Sequence, residues 1–336
     1  MNEPIIEFRN VNVEYQLRSG PIKAVNDVSL QLNKGVITAL VGESGSGKTT
    51  LASTVLQCLS SPGVMTGGEV LYRDETDDLQ DGGKTVDLSK LTEKEINKYR
   101  WQKISMVFQS AQSALNPVMT VYQQFAETYR AHRPKSSKEE IDAKVKELLS
   151  YVKLDVDRVC SSYPHELSGG MKQRVMIAFS LLLDPQVIIL DEPTTALDVI
   201  TQDYIFRLLR QINRERNISM LLLTHDMGIV AKFSDYVGVM YAGRLMEYGK
   251  TADVFKYKYN PYTEGLITAT PKLKGNINDM KSIKGNPPNL KQLPDGCVFS
   301  PRCDYAFEKC YTEEPQLTEA SSGHLVKCCK CERWGK

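Results

Sequence analysis

Residues 42–49 constrain this chain more than any other part of its sequence. They read Gly-Glu-Ser-Gly-Ser-Gly-Lys-Thr and fit the G-x-x-x-x-G-K-[ST] spacing of a phosphate-binding loop. The apolar run at 36–41 predicts a buried strand before the loop, and residues 50–56 predict the first turns of a helix after it. Strand, glycine-rich loop and helix in this order are the context that the motif requires. The sequence therefore predicts an α/β core with a phosphate-binding loop.

The residue types of this loop suit phosphate chemistry. Gly42, Gly45 and Gly47 let backbone N–H groups turn toward phosphate oxygens at a helix N-terminus. Lys48 supplies a positive charge for β- and γ-phosphates, and Thr49 supplies a hydroxyl for Mg²⁺. The alternative is a glycine-rich loop that only turns the chain. The Lys-Thr pair, in register with the flanking strand and helix, favours phosphate binding.

Length and charge set limits on what surrounds the loop. With 336 residues the chain is long enough for more than one domain. Its 42 Lys and Arg against 41 Asp and Glu leave a net charge of +1, which indicates neither a nucleic-acid nor an anionic-membrane surface. The first residues lack the basic start and apolar run that are typical of a signal peptide, and no stretch approaches the apolar length that spans a bilayer. We therefore expect a soluble, cytosolic protein whose membrane role, if any, depends on partners.

A second acidic motif follows the apolar run at 187–190. This strand would deliver Asp191 and Glu192 at its carboxyl end, where ligands bind in open α/β sheets. Asp191 is the expected Mg²⁺ partner, and Glu192 can polarise an attacking water as a general base. The alternative is a strand that simply ends in two acids. The phosphate-binding loop upstream favours the nucleotide-hydrolysis interpretation.

Residues 167–171 carry a specific family resemblance. They read Leu-Ser-Gly-Gly-Met, are followed by Lys-Gln-Arg, and resemble the signature motif of ATP-binding cassette ATPases. Ser168 with the Gly169 and Gly170 amides can bind a phosphate at a helix N-terminus. In that family the motif faces ATP held by a second subunit, so the resemblance implies a head-to-tail cassette dimer. Met171 replaces the more common Gln, but the phosphate contacts come from the serine and the glycines.

The resemblance also assigns roles to isolated residues. Tyr15 matches the aromatic residue that stacks on adenine, although a half-buried strand tyrosine is the alternative. Gln109 matches the glutamine that senses Mg²⁺ and the γ-phosphate, His225 matches the switch histidine, and residues 195–198 match the loop through which two cassettes communicate. The ATP-binding residues so implied are Tyr15, Gly42, Ser44, Gly45, Ser46, Gly47, Lys48, Thr49, Thr50, Ser168, Gly169 and Gly170. Thr49, Gln109 and Asp191 are the implied Mg²⁺ ligands, and Glu192, His225 and Gln109 the implied catalytic residues.

The implied fold is an α/β cassette domain at residues 1–259. It has a phosphate-loop core sheet, an antiparallel β subdomain and an α-helical subdomain at about 110–168. Alternating polar and apolar residues at 4–35 predict the antiparallel strands, and the acidic stretch 72–83 predicts a solvated loop. Residues 260–336 form a proline-containing linker and a cysteine-rich extension.

Six of the eight cysteines lie in the last forty residues. In a reducing compartment this cluster predicts a metal site rather than disulfides. The tail resembles that of the ATPase subunits of dipeptide and oligopeptide importers, which implies a four-iron four-sulfur cluster. Its expected ligands are Cys297, Cys303, Cys310 and Cys328, with Cys329 and Cys331 as bystanders. Zinc held by Cys328, Cys331 and two upstream thiolates is the alternative.

The resemblance implies an ATPase that energises peptide import from the cytoplasmic face of the membrane. Its expected partners are two transmembrane permease subunits, a second cassette of the same or a homologous chain and, indirectly, a solute-binding protein. No nucleic-acid partner is expected. Residues 109–165 are the expected permease contact. The alternatives are a nickel or oligosaccharide importer, a soluble cassette ATPase acting in DNA repair or on ribosomes, and a non-catalytic ATP-gated regulator.

Overall fold

The computed structural model describes residues 4–74, 84–109, 114–270 and 282–330. The chain forms two compact units, one of residues 1–91 with 222–336 and the other of residues 92–221. The predicted helical subdomain lies within the second range. Residues 260–330 belong to the same unit as the phosphate-binding loop. The domain boundary after residue 259 stays a prediction.

An antiparallel sheet begins the first unit. Its strands follow the spatial order β2-β1-β4-β5. Their bounds are β1 Pro4–Leu17, β2 Gly20–Asn33, β4 Gly63–Asp74 and β5 Lys84–Asp87. The first two strands confirm the alternation-based prediction for residues 4–35. The loop predicted from Tyr72 is wrong at its start, because β4 continues to Asp74 and Tyr72 is fully buried; residues 75–83 lie outside the described residues.

A second set of strands in the first unit carries the phosphate-binding loop. The neighbours run in the order β11-β12-β10-β9-β3, with β3 and β9 parallel and the other neighbouring pairs antiparallel. Their bounds are β3 Ile37–Val41, β9 Tyr236–Tyr241, β10 Arg244–Lys250, β11 Leu317–Ser321 and β12 His324–Lys327. The helices of this unit are α1 Lys48–Thr54, α8 Met227–Phe233, α9 Thr251–Tyr257, α10 Pro261–Ala269 and α11 Glu308–Thr312. The predicted strand before the loop and helix after it are confirmed as β3 and α1.

The chain after residue 260 extends this unit. Strand β12 pairs with β10 through Glu247 and Val326. The buried Glu247 carboxylate accepts hydrogen bonds from the Asn260 backbone N–H (3.2 Å) and from His324 Nε2 (2.7 Å). Asn260 Nδ2 in turn donates to the Lys327 carbonyl (2.9 Å). These buried hydrogen bonds fix the C-terminal strands to the sheet of the first unit.

The second unit is mostly helical. Its elements are α2 Glu93–Ile96, β6 Ile104–Val107, α3 Val121–His132, α4 Lys138–Tyr151, α5 Val156–Ser161, α6 Gly169–Ser180, β7 Val187–Asp191 and α7 Val199–Arg216. Strand β8, Ser219–Thr224, begins in this unit, and Leu222 is the first of its residues that belongs to the other. Strands β6 and β7 pair in parallel and are fully buried. Strand β7 confirms the strand predicted from the apolar run at 187–190. Among the described residues, no helix has the length and apolar content to cross a bilayer.

Candidate functional site

The path of the phosphate-binding loop depends on glycine at two crowded positions. Gly42 has a φ of 152° and Gly47 a φ of 99°, both in the region that side chains avoid. A Cβ on Gly42 would lie 2.1 Å from the Met240 carbonyl oxygen, and one on Gly47 would lie 2.4 Å from the Ala24 carbonyl oxygen. Both contacts are to backbone, so they cannot be relieved by a rotamer change. The fold around the loop therefore selects glycine at these positions.

Lys48 holds its charge over the loop backbone. Its side chain is buried, and Nζ donates to the carbonyl oxygens of Gly42 (2.8 Å) and Glu43 (3.0 Å) and to Ser46 Oγ (3.3 Å). Thr49 is the second residue of α1 and is exposed. The loop thus presents one ammonium group within a curved stretch of backbone, which is an arrangement suited to a polyphosphate.

Tyr15 lies beside the helix that follows the loop. It sits in β1 and is half-buried. Its hydroxyl is 3.5 Å from Thr50 Oγ1, and its ring edge crowds Gly63, where a Cβ would lie 3.0 Å away. The ring is therefore packed on one side and adjacent to α1. Adenine stacking by Tyr15 stays a prediction.

The second unit brings Gln109 and Glu192 together. Glu192 directly follows β7 and has a φ of 45°, a left-handed conformation that is uncommon for residues other than glycine. Its Oε2 accepts hydrogen bonds from Gln109 Nε2 and from Thr195 Oγ1, each at 3.1 Å. Asp191, the last residue of β7, is 2% exposed. Two residues 83 positions apart in sequence thus share one hydrogen bond at the end of this strand.

The signature residues begin a helix, as their sequence predicts. Ser168 is the N-cap of α6, and its side chain accepts a hydrogen bond from the Met171 backbone N–H at 3.3 Å. Met171 contributes only its backbone to this cap, so the replacement of Gln leaves it intact. A Cβ on Gly170 would lie 2.9 Å from Thr201 Cγ2, and Thr201 N–H donates to Asp198 Oδ1 at the start of α7. The signature and the 195–198 loop therefore meet through Thr201.

His225 directly follows Thr224, the last residue of β8. It is an exposed residue in the first unit. The next residue, Asp226, caps α8 by accepting hydrogen bonds from the backbone N–H groups of Gly228 (2.7 Å) and Ile229 (3.2 Å). The capped helix defines the backbone direction immediately after His225.

Five cysteines of the C-terminal segment line one cavity. They are Cys297, Cys303, Cys310, Cys328 and Cys329. The described cysteines carry free thiols, and burial raises the pKa of Cys297 to about 11. In the part of the chain that the structure describes, no group of three or more His, Cys, Asp or Glu side chains is arranged to hold a metal ion. Cys329, predicted as a bystander, faces the same cavity, whereas Cys331 lies outside the described residues.

The sequence prediction missed residues that contact the phosphate-binding loop from the C-terminal segment. Arg302 forms an ion pair with Glu43, and the Tyr262 hydroxyl accepts a hydrogen bond from the Glu43 backbone N–H. Glu43 occupies a variable position of the loop motif, and Arg302 lies between two predicted metal ligands. Their spacing of 259 residues leaves no local pattern that could pair them.

Known proteins resemble this chain over nearly its whole length. Residues 25–195 match the ABC transporter family, and residues 246–310 match the family described as oligopeptide/dipeptide transporter, C-terminal region. The chain is 42% identical over 324 residues to the dipeptide transport ATP-binding protein DppD of Caldanaerobacter subterraneus subsp. tengcongensis, with 96% of each chain covered. It is 41% identical over 326 residues to the oligopeptide transport ATP-binding protein OppD of Haemophilus influenzae, with 97% of each chain covered.

A solved structure agrees with these relatives. The chain superimposes with a TM-score of 0.63 and 29% identity on the dimeric ATP-binding cassette MJ0796 in a post-hydrolysis state bound to ADP and Pi, covering 73% of this chain and 98% of that one. The fold is therefore that of an ATP-binding cassette nucleotide-binding domain. This chain belongs to the ATP-binding cassette transporter family, in the branch that carries the oligopeptide/dipeptide transporter C-terminal region.

Proposed function

We propose that this chain hydrolyses ATP to energise the import of dipeptides or oligopeptides through a membrane transporter. The support is its near-complete alignment with dipeptide and oligopeptide transport ATP-binding proteins. The match of residues 246–310 to the oligopeptide/dipeptide transporter C-terminal region gives separate support for peptides as the transported substrate. The alternative is that the chain energises the import of nickel or of oligosaccharides.

The observation that carries hydrolysis is the placement of Glu192. Its carboxylate is held by two hydrogen bonds, from Gln109 and Thr195, immediately after a strand that ends in the buried Asp191. A carboxylate accepts a proton from water as that water attacks, so Glu192 is the proposed general base. Gln109 donates a hydrogen bond to this carboxylate, so it would couple binding of the γ-phosphate to the position of Glu192.

The phosphate-binding loop and the acidic strand end offer the donors that Mg²⁺ prefers. In the first unit Thr49 provides a hydroxyl. In the second unit Gln109 provides an amide oxygen and Asp191 a carboxylate, and each of these groups is a hard oxygen ligand. When bound, the ion neutralises charge on the phosphate oxygens. Lys48 adds a fixed ammonium charge, and His225 is the proposed γ-phosphate contact of the first unit.

The proposed working state is a head-to-tail dimer of cassettes at the cytoplasmic face of the membrane. In it, Ser168, Gly169 and Gly170 would contact ATP held by the partner. The rate of ATP hydrolysis per chain should therefore rise with protein concentration when this chain forms homodimers. A concentration-independent rate, with a monomer in sedimentation, would contradict the dimer.

Exposed apolar side chains in the second unit support a permease contact. Phe108, Val118 and Tyr163 are 47%, 78% and 39% exposed. Val118 and Tyr163 lie within the 109–165 segment for which this contact is predicted, and Phe108 directly precedes it. Exposed apolar residues mark an interaction site where they form one contiguous patch.

The test is transport in a reconstituted system. The chain is purified from detergent-solubilised membranes with its co-purifying subunits, which are identified and returned to lipid vesicles. We expect two permease subunits and ATP-dependent peptide uptake, with nickel and oligosaccharide as competing substrates. Stimulation of the ATPase by nucleic acid or ribosomes, without membrane subunits, would overturn the transport assignment.

We further propose a four-iron four-sulfur cluster on Cys297, Cys303, Cys310 and Cys328. The support is chemical: four thiols from separate positions line one cavity, and their wide spacing suits a cluster better than paired zinc knuckles. A loop-rich segment has little core of its own, so thiolate binding of a cluster would add folding free energy.

Metal analysis of anaerobically purified protein tests this proposal. We expect a brown protein with about four irons per chain. Cys303→Ser should lose that iron, whereas Cys160→Ser, a cysteine of the second unit, should retain it. A colourless protein with one stoichiometric zinc would replace the cluster by the zinc alternative.

A further inference from the structure

An ion pair joins the cysteine-bearing turn to the phosphate-binding loop within the first unit. The Arg302 guanidinium makes two parallel contacts with the Glu43 carboxylate, Nη1 to Oε2 at 2.7 Å and Nη2 to Oε1 at 2.9 Å. The Arg302 side chain is only 6% exposed. A bidentate ion pair whose guanidinium is shielded from solvent is among the stronger and more directional polar contacts in proteins.

The remaining donors of Arg302 are also used. Nη1 donates to the Tyr241 hydroxyl (3.2 Å), Nη2 to the Gly285 carbonyl (3.3 Å), and Nε to the Lys284 carbonyl (2.8 Å). A guanidinium has five N–H donors, so every one has an acceptor here. Lysine has a single point charge and cannot reproduce this fork. The position of the guanidinium is therefore fixed from several sides.

Arg302 is carried by the turn that connects two proposed cluster ligands. The Ser300 N–H donates to the Cys297 carbonyl (2.9 Å), and the Cys303 N–H donates to the Ser300 carbonyl (3.3 Å). The Arg302 N–H donates to the Phe299 carbonyl at 3.0 Å. These consecutive bonds make residues 297–303 one rigid turn. The direction of the Arg302 side chain follows from the conformation of this turn.

Tyr262 fixes the backbone of the same glutamate. Its hydroxyl accepts a hydrogen bond from the Glu43 N–H at 2.9 Å. The Tyr262 ring is fully buried and packs against Tyr241 and Phe299, with ring centroids 4.6 and 5.2 Å apart. The Glu43 carbonyl oxygen accepts from Lys48 Nζ at 3.0 Å. Glu43 is thus held at its side chain, its N–H and its carbonyl.

We propose that Arg302 is a positioning residue for ATP. Through Glu43 it fixes the part of the loop backbone that directs the Lys48 ammonium, so ATP affinity depends on the turn that bears Cys297 and Cys303. This inference rests on the assignment of residues 42–49 as the ATP phosphate site. It adds that the cysteine-bearing turn and the phosphate-binding loop act as one structural unit.

The experiment is a double-mutant cycle on the full-length chain. ATP Kd is measured for the wild type, Arg302→Gln, Glu43→Gln and the double variant. Each single change should weaken ATP binding about fivefold to thirtyfold. The double variant should bind ATP no more weakly than the worse single variant, because both changes remove the same contact. In ATPase assays, Arg302→Gln should raise the KM for ATP with kcat close to the wild-type value, and Arg302→Lys should restore only part of the affinity.

A matched control comes from a second arginine of the same unit. Arg244 pairs through two nitrogens with Glu314, and its side chain is 8% exposed, close to the exposure of Arg302. Arg244→Gln should lower the melting temperature while leaving ATP Kd within about twofold of wild type. Equal losses of ATP affinity in Arg244→Gln and Arg302→Gln would mean general destabilisation and would overturn the proposal.

Lys48→Ala distinguishes a wrong phosphate-site assignment from a wrong positioning role for Arg302. A wild-type chain that binds ATP no better than Lys48→Ala would disprove the phosphate-site assignment itself. Wild-type binding that is lost in Lys48→Ala but unchanged in a folded Arg302→Gln would leave that assignment standing and refute the positioning role. Additive losses in the double variant would also refute it.

Discussion

The two units prepare their proposed nucleotide chemistry by different means. In the first unit, the phosphate-binding loop is shaped by backbone, and a Cβ on Gly47 would meet a carbonyl oxygen at 2.4 Å. In the second unit, Glu192 is a half-buried side chain held by two side-chain hydrogen bonds. We therefore expect ATP binding and ATP hydrolysis to depend on different structural features of the chain. A single-atom change in the second unit should stop ATP turnover without affecting ATP binding. A change in the phosphate-binding loop of the first unit should instead lower the affinity for ATP.

The largest expected effect is in the second unit. Glu192→Gln keeps the side-chain shape but removes the group that accepts a proton, so kcat for ATP hydrolysis should fall about 10²-fold to 10⁴-fold. ATP Kd should stay at the wild-type value. Phosphate release and nucleotide binding, measured on the same preparation, check both statements. Turnover that survives this change would remove Glu192 as the general base.

The same variant tests the dimer. Because ATP is not consumed, Glu192→Gln with Mg²⁺ and its partner cassette should accumulate as a dimer in size-exclusion chromatography. The wild-type protein under the same conditions serves as the control. An unchanged elution volume for the variant would contradict the ATP-bridged arrangement.

The next largest effect is in the first unit and concerns affinity. Lys48→Ala removes a buried ammonium group aimed at the loop, and ATP binding should weaken about tenfold to a hundredfold. Lys144→Ala is the control, since Lys144 pairs with Asp184 in the second unit. Isothermal titration with ATP measures both variants. Equal Kd values for Lys48→Ala and the wild type would refute phosphate binding by this loop.

A smaller effect is expected in stability at the signature helix. Gly170→Ala places a methyl group 2.9 Å from Thr201 Cγ2 and should lower the free energy of unfolding by about 1–3 kcal/mol. Thr201→Ser removes that Cγ2 and keeps the hydroxyl that donates to Asp198. The double variant should therefore recover stability relative to Gly170→Ala in urea unfolding. Failure to recover would show that the crowding is not with Thr201.

The smallest expected effect concerns Tyr15 of the first unit and tests whether its ring contacts the adenine of ATP. Tyr15→Ala should weaken ATP binding about twofold to tenfold if the ring stacks on adenine. Tyr15→Phe keeps the ring and should bind ATP like the wild type. Equal Kd values for ATP in the wild type, Tyr15→Ala and Tyr15→Phe would indicate that Tyr15 only packs in its strand beside Thr50.

Contiguous motifs were predictable because their geometry is local. The phosphate-binding loop, the strand that delivers Asp191 and the Ser168 cap of α6 each depend on neighbours within a few residues. The structure places Tyr15 in β1, Gln109 two residues after β6 and His225 directly after β8. The roles that the resemblance assigns to these three residues stay predictions. The prediction of a solvated loop from Tyr72 is wrong at its start, because it rests on the acidic residues that follow. Tyr72 itself is buried and pairs with Ile6 of β1.

Hydrophobic periodicity in the sequence indicates the α/β fold class, because it encodes local structure. The motifs carry the resemblance to the ATP-binding cassette family, which the comparisons with known proteins show. The tertiary structure decided which of these residues touch. Only packing brings Gln109 to Glu192, Gly170 to Thr201 and Arg302 to Glu43. Such contacts depend on the summed geometry of many elements, and a polar partner far away in sequence leaves no periodic trace. The link between the cysteine-bearing turn and the phosphate-binding loop is therefore a property of the folded chain alone.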